Sequence, residues 1–141
     1  MRVGGLFAVV GAVLLTAPTQ RQRSLESIQR LECVFTAGVS ADWSGAEPSV
    51  RTLGAANRLT LNLSDINVVD GSATLRDGAR TSSVSARSDR SNLYFFDLGS
   101  SGTATLTTVF SQETRPGHLK AAHTRTGVDA AQFYGDCEIG R

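Results

Sequence analysis

His118 and His123 are the only histidines of the chain, and imidazole serves both as a metal ligand and as a general acid or base. They lie five residues apart in a segment, 118–126, whose pattern is typical of a β-strand. Side chains an odd number of positions apart on a strand point to opposite faces, so this pair cannot chelate one ion. The sequence therefore predicts no metal site.

A catalytic site would have to be assembled from isolated polar residues. His123 and Arg125 lie two positions apart on one strand, and Tyr134 follows on the last strand, so a barrel mouth could gather them for acid–base chemistry. The chain has no nucleophile elbow, metal-binding motif or phosphate-binding loop. An enzyme that uses these three residues is thus the alternative hypothesis, and no cofactor is predicted.

Aromatic side chains form a second group that could mediate recognition. The segment 93–98 is apolar on both alternating faces, so one face fills the interior and the other, with Tyr94 and Phe96, leaves a ridge on the outer wall. Trp43 lies in a long polar stretch, 40–56, which predicts a loop. We expect the ridge to be covered by this loop, with Trp43 as its anchor, or by the segment 20–31, and the alternative is an exposed patch for a partner.

Cys33 and Cys137 are the only cysteines and lie near the two ends of the predicted domain. An even pair in an exported chain favours a disulfide, because the compartment is oxidising. Metal and redox pairs usually show much closer spacing. The prediction is a Cys33–Cys137 disulfide.

The charges bound the class of partner. The chain has 14 Lys and Arg against 13 Asp and Glu, and without the N-terminal segment that contains Arg2 the balance is 13 against 13. A neutral domain with mixed signs gives no electrostatic reason to bind nucleic acid. Nucleic acid is therefore not a predicted partner.

Residues 1–19 are predicted to be an export signal. Arg2 precedes an uncharged, mostly apolar run over 3–17, which is shorter than the roughly 20 residues of a membrane span. Retention as an N-terminal anchor is the alternative. With the signal removed no membrane span is expected, and the predicted location is secreted or periplasmic. Residues 20–31 are predicted to be a polar linker or short helix, and residues 32–141 a single β-barrel domain.

From residue 32 onward, short alternating segments are separated by turn signals such as Asp70-Gly71 and Asp77-Gly78. The connections after residue 57 are short, so consecutive strands are expected to pair antiparallel as a meander. The predicted class is all-β. Eight strands are expected, at 32–39, 58–69, 72–76, 80–87, 93–98, 103–110, 118–126 and 132–139.

The cysteines bear on whether this meander is open or closed. Cys33 lies in the first predicted strand and Cys137 in the last. A disulfide needs Cα atoms within roughly 7 Å of each other. Neighbouring strands are about 4.8 Å apart, so the first and last strands of an open eight-stranded sheet lie several times further apart than a disulfide can reach. A closed barrel satisfies this constraint, as does a sandwich whose edges meet, and a closed barrel is the prediction. Such a barrel is filled by its own side chains or holds one small ligand.

Alternation assigns the interior side chains. Cys33, Phe35, Ala37 and Val39 share one apolar face of the first strand, and the threonines of 103–107 are expected on a solvated face. The predicted interior set is Phe35, Leu59, Leu61, Leu63, Leu75, Val84, Leu93, Phe95, Ala104, Leu106, Phe110, Leu119, Phe133 and Ile139.

A small exported all-β chain, with a tryptophan in an early loop and a disulfide across the barrel, resembles the calycins (lipocalins and avidins) and the small periplasmic β-barrel inhibitors of bacteria. The lipocalin Gly-x-Trp pattern would place a glycine where this chain has Ala41. The resemblance therefore implies a calycin-like architecture and no functional residue.

The leading functional hypothesis is non-covalent binding of a small apolar ligand or a protein partner by an exported barrel. Trp43, Tyr94, Phe96, His123, Arg125 and Tyr134 are its candidate contact residues. The alternatives are the enzyme described above and a structural component of the envelope or extracellular matrix.

Overall fold

The structure is a computed structural model, and it describes residues 24–43 and 45–140. The predicted export signal lies outside the described residues. Two short 3-10 helices, Leu25–Ser27 and Ala55–Asn57, accompany nine strands. The strands are β1 (Leu31–Trp43), β2 (Pro48–Leu53), β3 (Leu59–Asn67), β4 (Ser72–Asp77), β5 (Arg80–Ser88), β6 (Asn92–Leu98), β7 (Ala104–Arg115), β8 (His118–Thr126) and β9 (Ala130–Ile139).

Eight of these strands form a closed antiparallel barrel, as predicted. β1 pairs with β3, each later strand pairs with the next, and β9 pairs back with β1. Cys33 lies opposite Cys137 in that closing pair, with their Cα atoms 3.9 Å apart, and the two form a disulfide. Both cysteines are fully buried. The disulfide therefore joins the first and last strands of the barrel.

β2 is an extra strand, and the prediction of a loop over 40–56 was wrong. β1 continues to Trp43, and β2 pairs antiparallel with its second half, from Gly38 opposite Leu53 to Trp43 opposite Pro48. Polar and small residues are tolerated there because this hairpin has little of its surface buried. The segment thus extends the sheet instead of folding back over it.

A β-bulge changes the face assignment halfway along β1. The β1–β9 register shifts between Phe35 and Ala37, and an extra residue reverses the alternation beyond it. Gly38 is buried, whereas Ala37 is exposed and Val39 is 42% exposed. The prediction that these last two share the face of Phe35 was therefore wrong.

The interior is filled by side chains. The members of the core are 0–9% exposed: Leu25, Ile28, Leu31, Cys33, Phe35, Leu61, Leu63, Ile66, Ala73, Leu75, Val84, Ala86, Leu93, Phe95, Val109, Leu119, Ala121, Ala131, Phe133 and Cys137. Leu59 and Ile139 pack against this core while partly exposed. Two polar side chains, Thr107 and His123, are buried with it.

The two faces of β7 are the reverse of the prediction. Ala104 is half-buried, and Leu106 and Phe110 are 39% and 36% exposed, whereas Thr107 and Val109 are buried. The cause is the register of the β6–β7 hairpin. Directly opposed residues share a face, and the two buried residues of β7 lie opposite the buried Phe95 and Leu93.

The segment before β1 closes one end of the barrel. Leu25 and Ile28 are buried against the core. Two hydrogen bonds anchor the segment, because the Gln29 carbonyl accepts from the Ile66 N–H and the Arg30 carbonyl from the Gly140 N–H. The opposite end, which carries the β4–β5, β6–β7 and β8–β9 turns, is called the mouth below.

Candidate binding surface on the outer wall

The exposed apolar side chains collect on one side of the barrel. The register aligns the outward residues of β6, β7, β8, β9, β1 and β2 into three rows. We call these rows the apolar wall: Tyr94, Thr108, Ala122, Tyr134 and Ala37; Phe96, Leu106, Thr124, Gln132, Val39 and Thr52; Leu98, Ala104, Thr126, Ala130, Ala41 and Val50.

Most of the large exposed hydrophobic residues belong to this surface. Among the described residues ten are exposed, and eight of them lie on the wall or at its two ends, where Phe110 and Trp43 continue β7 and β1. The other two, Val69 and Val128, lie between strands. Scattered apolar residues are normal on a surface, whereas a contiguous patch indicates a contact site.

The wall carries no charged side chain. The charged residues that border it are Arg87 on β5, opposite Tyr94, and the paired Lys120 and Asp136, which lie two positions beyond Ala122 and Tyr134. The outward residues of β3, β4 and β5 are different, since their rows consist of hydroxyl, amide and guanidinium groups such as Asn62, Arg76 and Thr81. The barrel therefore has one uncharged side and one polar side.

Tyr94 is held in place at the edge of the wall. Its hydroxyl donates to Oδ2 of Asp89 at 2.7 Å and accepts from Nδ2 of Asn92 at 2.9 Å. The bond to Asp89 raises the pKa of Tyr94, and the same bond lowers the pKa of Asp89, which also accepts from the backbone N–H groups of Ser91 and Asn92. The ring is thus oriented before any partner binds.

Trp43 does not cover the aromatic ridge, contrary to expectation. It lies at the end of β1, opposite Pro48, and is 69% exposed, while Phe96 and Leu98 stay 46% and 66% exposed. Because β1 and β2 form a ladder, Trp43 extends the wall instead of lying over it. An ion pair of 2.7 Å between Arg51 and Asp42 ties the two strands of this hairpin together.

His123 lies inside the barrel. Its ring centroid is 5.8 Å from that of Phe35 and 6.1 Å from that of Phe133, and its Nδ1 is 2.9 Å from Oγ1 of Thr107. Burial, with a smaller effect of the Arg125 charge, lowers the pKa of His123 to about 4, against an opposing effect of Asp77. This histidine is a neutral core residue at pH 7.

The three residues of the enzyme hypothesis do not come together. His123 is 5% exposed, Arg125 follows it on the same face of β8 toward the mouth, and Tyr134 is on the outer face of β9 opposite Ala122. Alternation along the strands separates the tyrosine from the other two.

His118 lies on the face of β8 opposite to that of His123, as predicted from their spacing, and it faces outward. It borders a polar concavity of about 400 Å³, where its Nδ1 is 3.2 Å from Asp136 and its Nε2 is 4.0 Å from Glu138. Within residues 24–43 and 45–140, no three His, Cys, Asp or Glu side chains are placed to hold a metal ion. A second concavity, of about 470 Å³, lies beside Gln29 and Asn67. Both are outside the lumen.

Two further residues of the wall, Leu106 and Val39, were not predicted. The signal that could have identified them is the hairpin register for the first and the bulge for the second.

No helix in the described part of the chain is long and apolar enough to cross a membrane. No protein-family model, curated protein or solved structure matches this chain.

Proposed function

We propose that this chain is an exported β-barrel protein that binds a protein partner non-covalently through the apolar wall. The observation that carries the proposal is the collection of eight large exposed hydrophobic side chains on one uncharged side of the barrel. The centres of protein interfaces are enriched in aromatic residues and depleted of charge. The wall has this composition, and Tyr94, Phe96 and Tyr134, three of the candidate contact residues, lie on it.

A protein partner is favoured over a small apolar ligand because the lumen is occupied. Phe35, Leu61, Leu63 and Leu93 are at most 2% exposed inside the barrel. An eight-stranded barrel has room either for its own side chains or for one small ligand. Here its own side chains take that room, so the outer surface is the better candidate.

Two features support export. The pattern of residues 1–19 is typical of a secretory signal, and the Cys33–Cys137 disulfide is compatible with an oxidising compartment. A structural role in the envelope would instead leave the protein bound to the cell wall, so fractionation of producing cells into free and wall-bound protein separates the two hypotheses.

Photocrosslinking tests the proposal directly. A benzophenone amino acid replaces Thr124, at the centre of the wall, or Ser83, which is exposed on the polar side as a matched control. Irradiation of cells that produce each variant should join a second polypeptide to the chain from position 124 and not from position 83. Equal adducts from both positions, or none from position 124, would contradict the proposal.

A further inference from the structure

We infer that the partner that docks on the apolar wall is a second copy of this chain, related to the first by a two-fold axis. This inference rests on the proposed function, because it names the occupant of the same surface. It follows from the charge, the relief and the size of the wall.

The absence of charge removes the usual obstacle to self-docking. In a two-fold interface the same patch is present on both subunits, so any charge near the axis meets its own copy, and like charges brought together are unfavourable. The chain has 27 charged residues, 14 basic and 13 acidic, yet none of them is on the wall. Two copies can therefore face each other without a charge conflict.

The relief of the wall is self-complementary. On β6 and β7 the outward side chains are bulky, with Phe96, Leu98 and Leu106 forming a ridge. On β8 the outward positions are small, with Ala122, Thr124 and Thr126 forming the floor of a trough between this ridge and Tyr134 on β9. A two-fold axis that runs between ridge and trough places the ridge of each copy in the trough of the other.

The size of the wall is sufficient for a dimer. Six strands that each occupy about 4.8 Å and three rows that each occupy about 6.8 Å give an area of roughly 29 by 20 Å, measured along the curved sheet. Each copy would bury on the order of 500–600 Å², and two copies about 1,000–1,200 Å² together, which is at the lower end of specific interfaces. We therefore expect a dimer that dissociates in the micromolar range.

Sedimentation equilibrium on the purified exported chain, without the predicted signal at residues 1–19, tests the inference. The weight-average mass should approach twice the monomer mass as the concentration rises from about 1 to about 500 μM, a range that brackets micromolar dissociation. Thr124→Arg puts a charge in the trough and should weaken self-association at least about tenfold, while Ser83→Arg on the polar side should leave it unchanged. Leu106→Gln, which removes apolar bulk from the ridge, should weaken it as well.

Trp43 supplies an independent signal, because it is the only tryptophan of the chain and lies at the end of the wall with 69% exposure. Its emission should shift to shorter wavelength over the same concentration range, and Thr124→Arg should remove that shift. A chain that stays monomeric at the highest concentration, or equal weakening by Thr124→Arg and Ser83→Arg, overturns the inference. If such a monomer still crosslinks from position 124 to a different protein, the inference fails while the proposed function stands.

Discussion

Acidification should destabilise the barrel through His123, which is 5% exposed and has its pKa lowered to about 4. In the unfolded chain an imidazole titrates near 6.5. Between these two values the unfolded state binds a proton that the folded state does not. The contribution of His123 to stability is therefore complete above pH 6.5 and is lost as the pH falls toward 4.

The expected loss is a sizeable fraction of ordinary domain stability, which is about 5–15 kcal/mol. A pKa difference of about 2.5 at 1.36 kcal/mol per unit gives a total of about 3 kcal/mol, of which roughly 2 kcal/mol is lost by pH 5. The physical cause is that the imidazolium would be buried between Phe35 and Phe133, with Arg125 on the same face of β8.

The assay is denaturant unfolding at pH 7, 6, 5 and 4, followed by far-UV circular dichroism with the disulfide intact. The matched control is the double variant His123→Leu with Thr107→Val, because it removes both partners of the 2.9 Å contact and leaves no unsatisfied hydroxyl. All other titrating groups are shared, so the difference between the two proteins isolates His123. If both proteins lose stability in parallel from pH 7 to pH 4, the assignment of His123 as a buried neutral group is wrong.

Three further predictions concern the barrel seam and the edge of the wall. Gly135→Ala should destabilise the fold by about 1–3 kcal/mol, because a Cβ at this position would overlap the backbone of β1. Calorimetry measures this loss of stability. Replacing Cys33 and Cys137 by serine should cost about 4–5 kcal/mol in the chain-entropy model, since the bond closes a loop with a sequence separation of 104, and denaturant unfolding measures the loss. Asp89→Asn should lower the pKa of Tyr94 toward its usual value by removing the carboxylate that its hydroxyl bonds, as a ring NMR titration would show.

Each of these predictions has its own contrary outcome. Gly54→Ala is the matched control for the seam, because a Cβ there meets nothing within 4 Å, and equal losses in both alanine variants would refute the steric argument. If the serine variant unfolds at the same denaturant concentration as the parent, the disulfide does not stabilise the closure. An unchanged Tyr94 titration in Asp89→Asn would show that this bond does not form in solution.

The local elements of this fold were accessible from the sequence, since strand alternation and turn chemistry act over a few residues. Asp70-Gly71 and Asp77-Gly78 mark the β3–β4 and β4–β5 turns, where both glycines adopt positive φ. Closure was accessible as well, because a covalent bond between Cys33 and Cys137 restricts how far apart the terminal strands can lie. The all-β class, the meander and the closed barrel follow from these signals.

Tertiary structure decides which side chains of β7 point into the barrel. Both faces of this strand are apolar enough to be buried, and the sequence favoured Leu106. The β6–β7 turn, closed by a 2.8 Å hydrogen bond from the Gly99 N–H to the Thr103 carbonyl, places Leu98 opposite Ala104. With this register the interior receives Thr107, whose hydroxyl is satisfied only because β8 brings His123 beside it.

The apolar wall also depends partly on local sequence pattern and partly on the pairing of distant strands. Tyr94 and Phe96 were identifiable as an outward ridge, because alternation within one strand assigns them a face. That Val39 and Val50 join them depends on the bulge in β1 and on the pairing of β2, which involve residues far apart in the chain. The sequence and the alternation within each strand show which apolar side chains share a face. Only the pairing of distant strands brings them onto one uncharged side of the barrel.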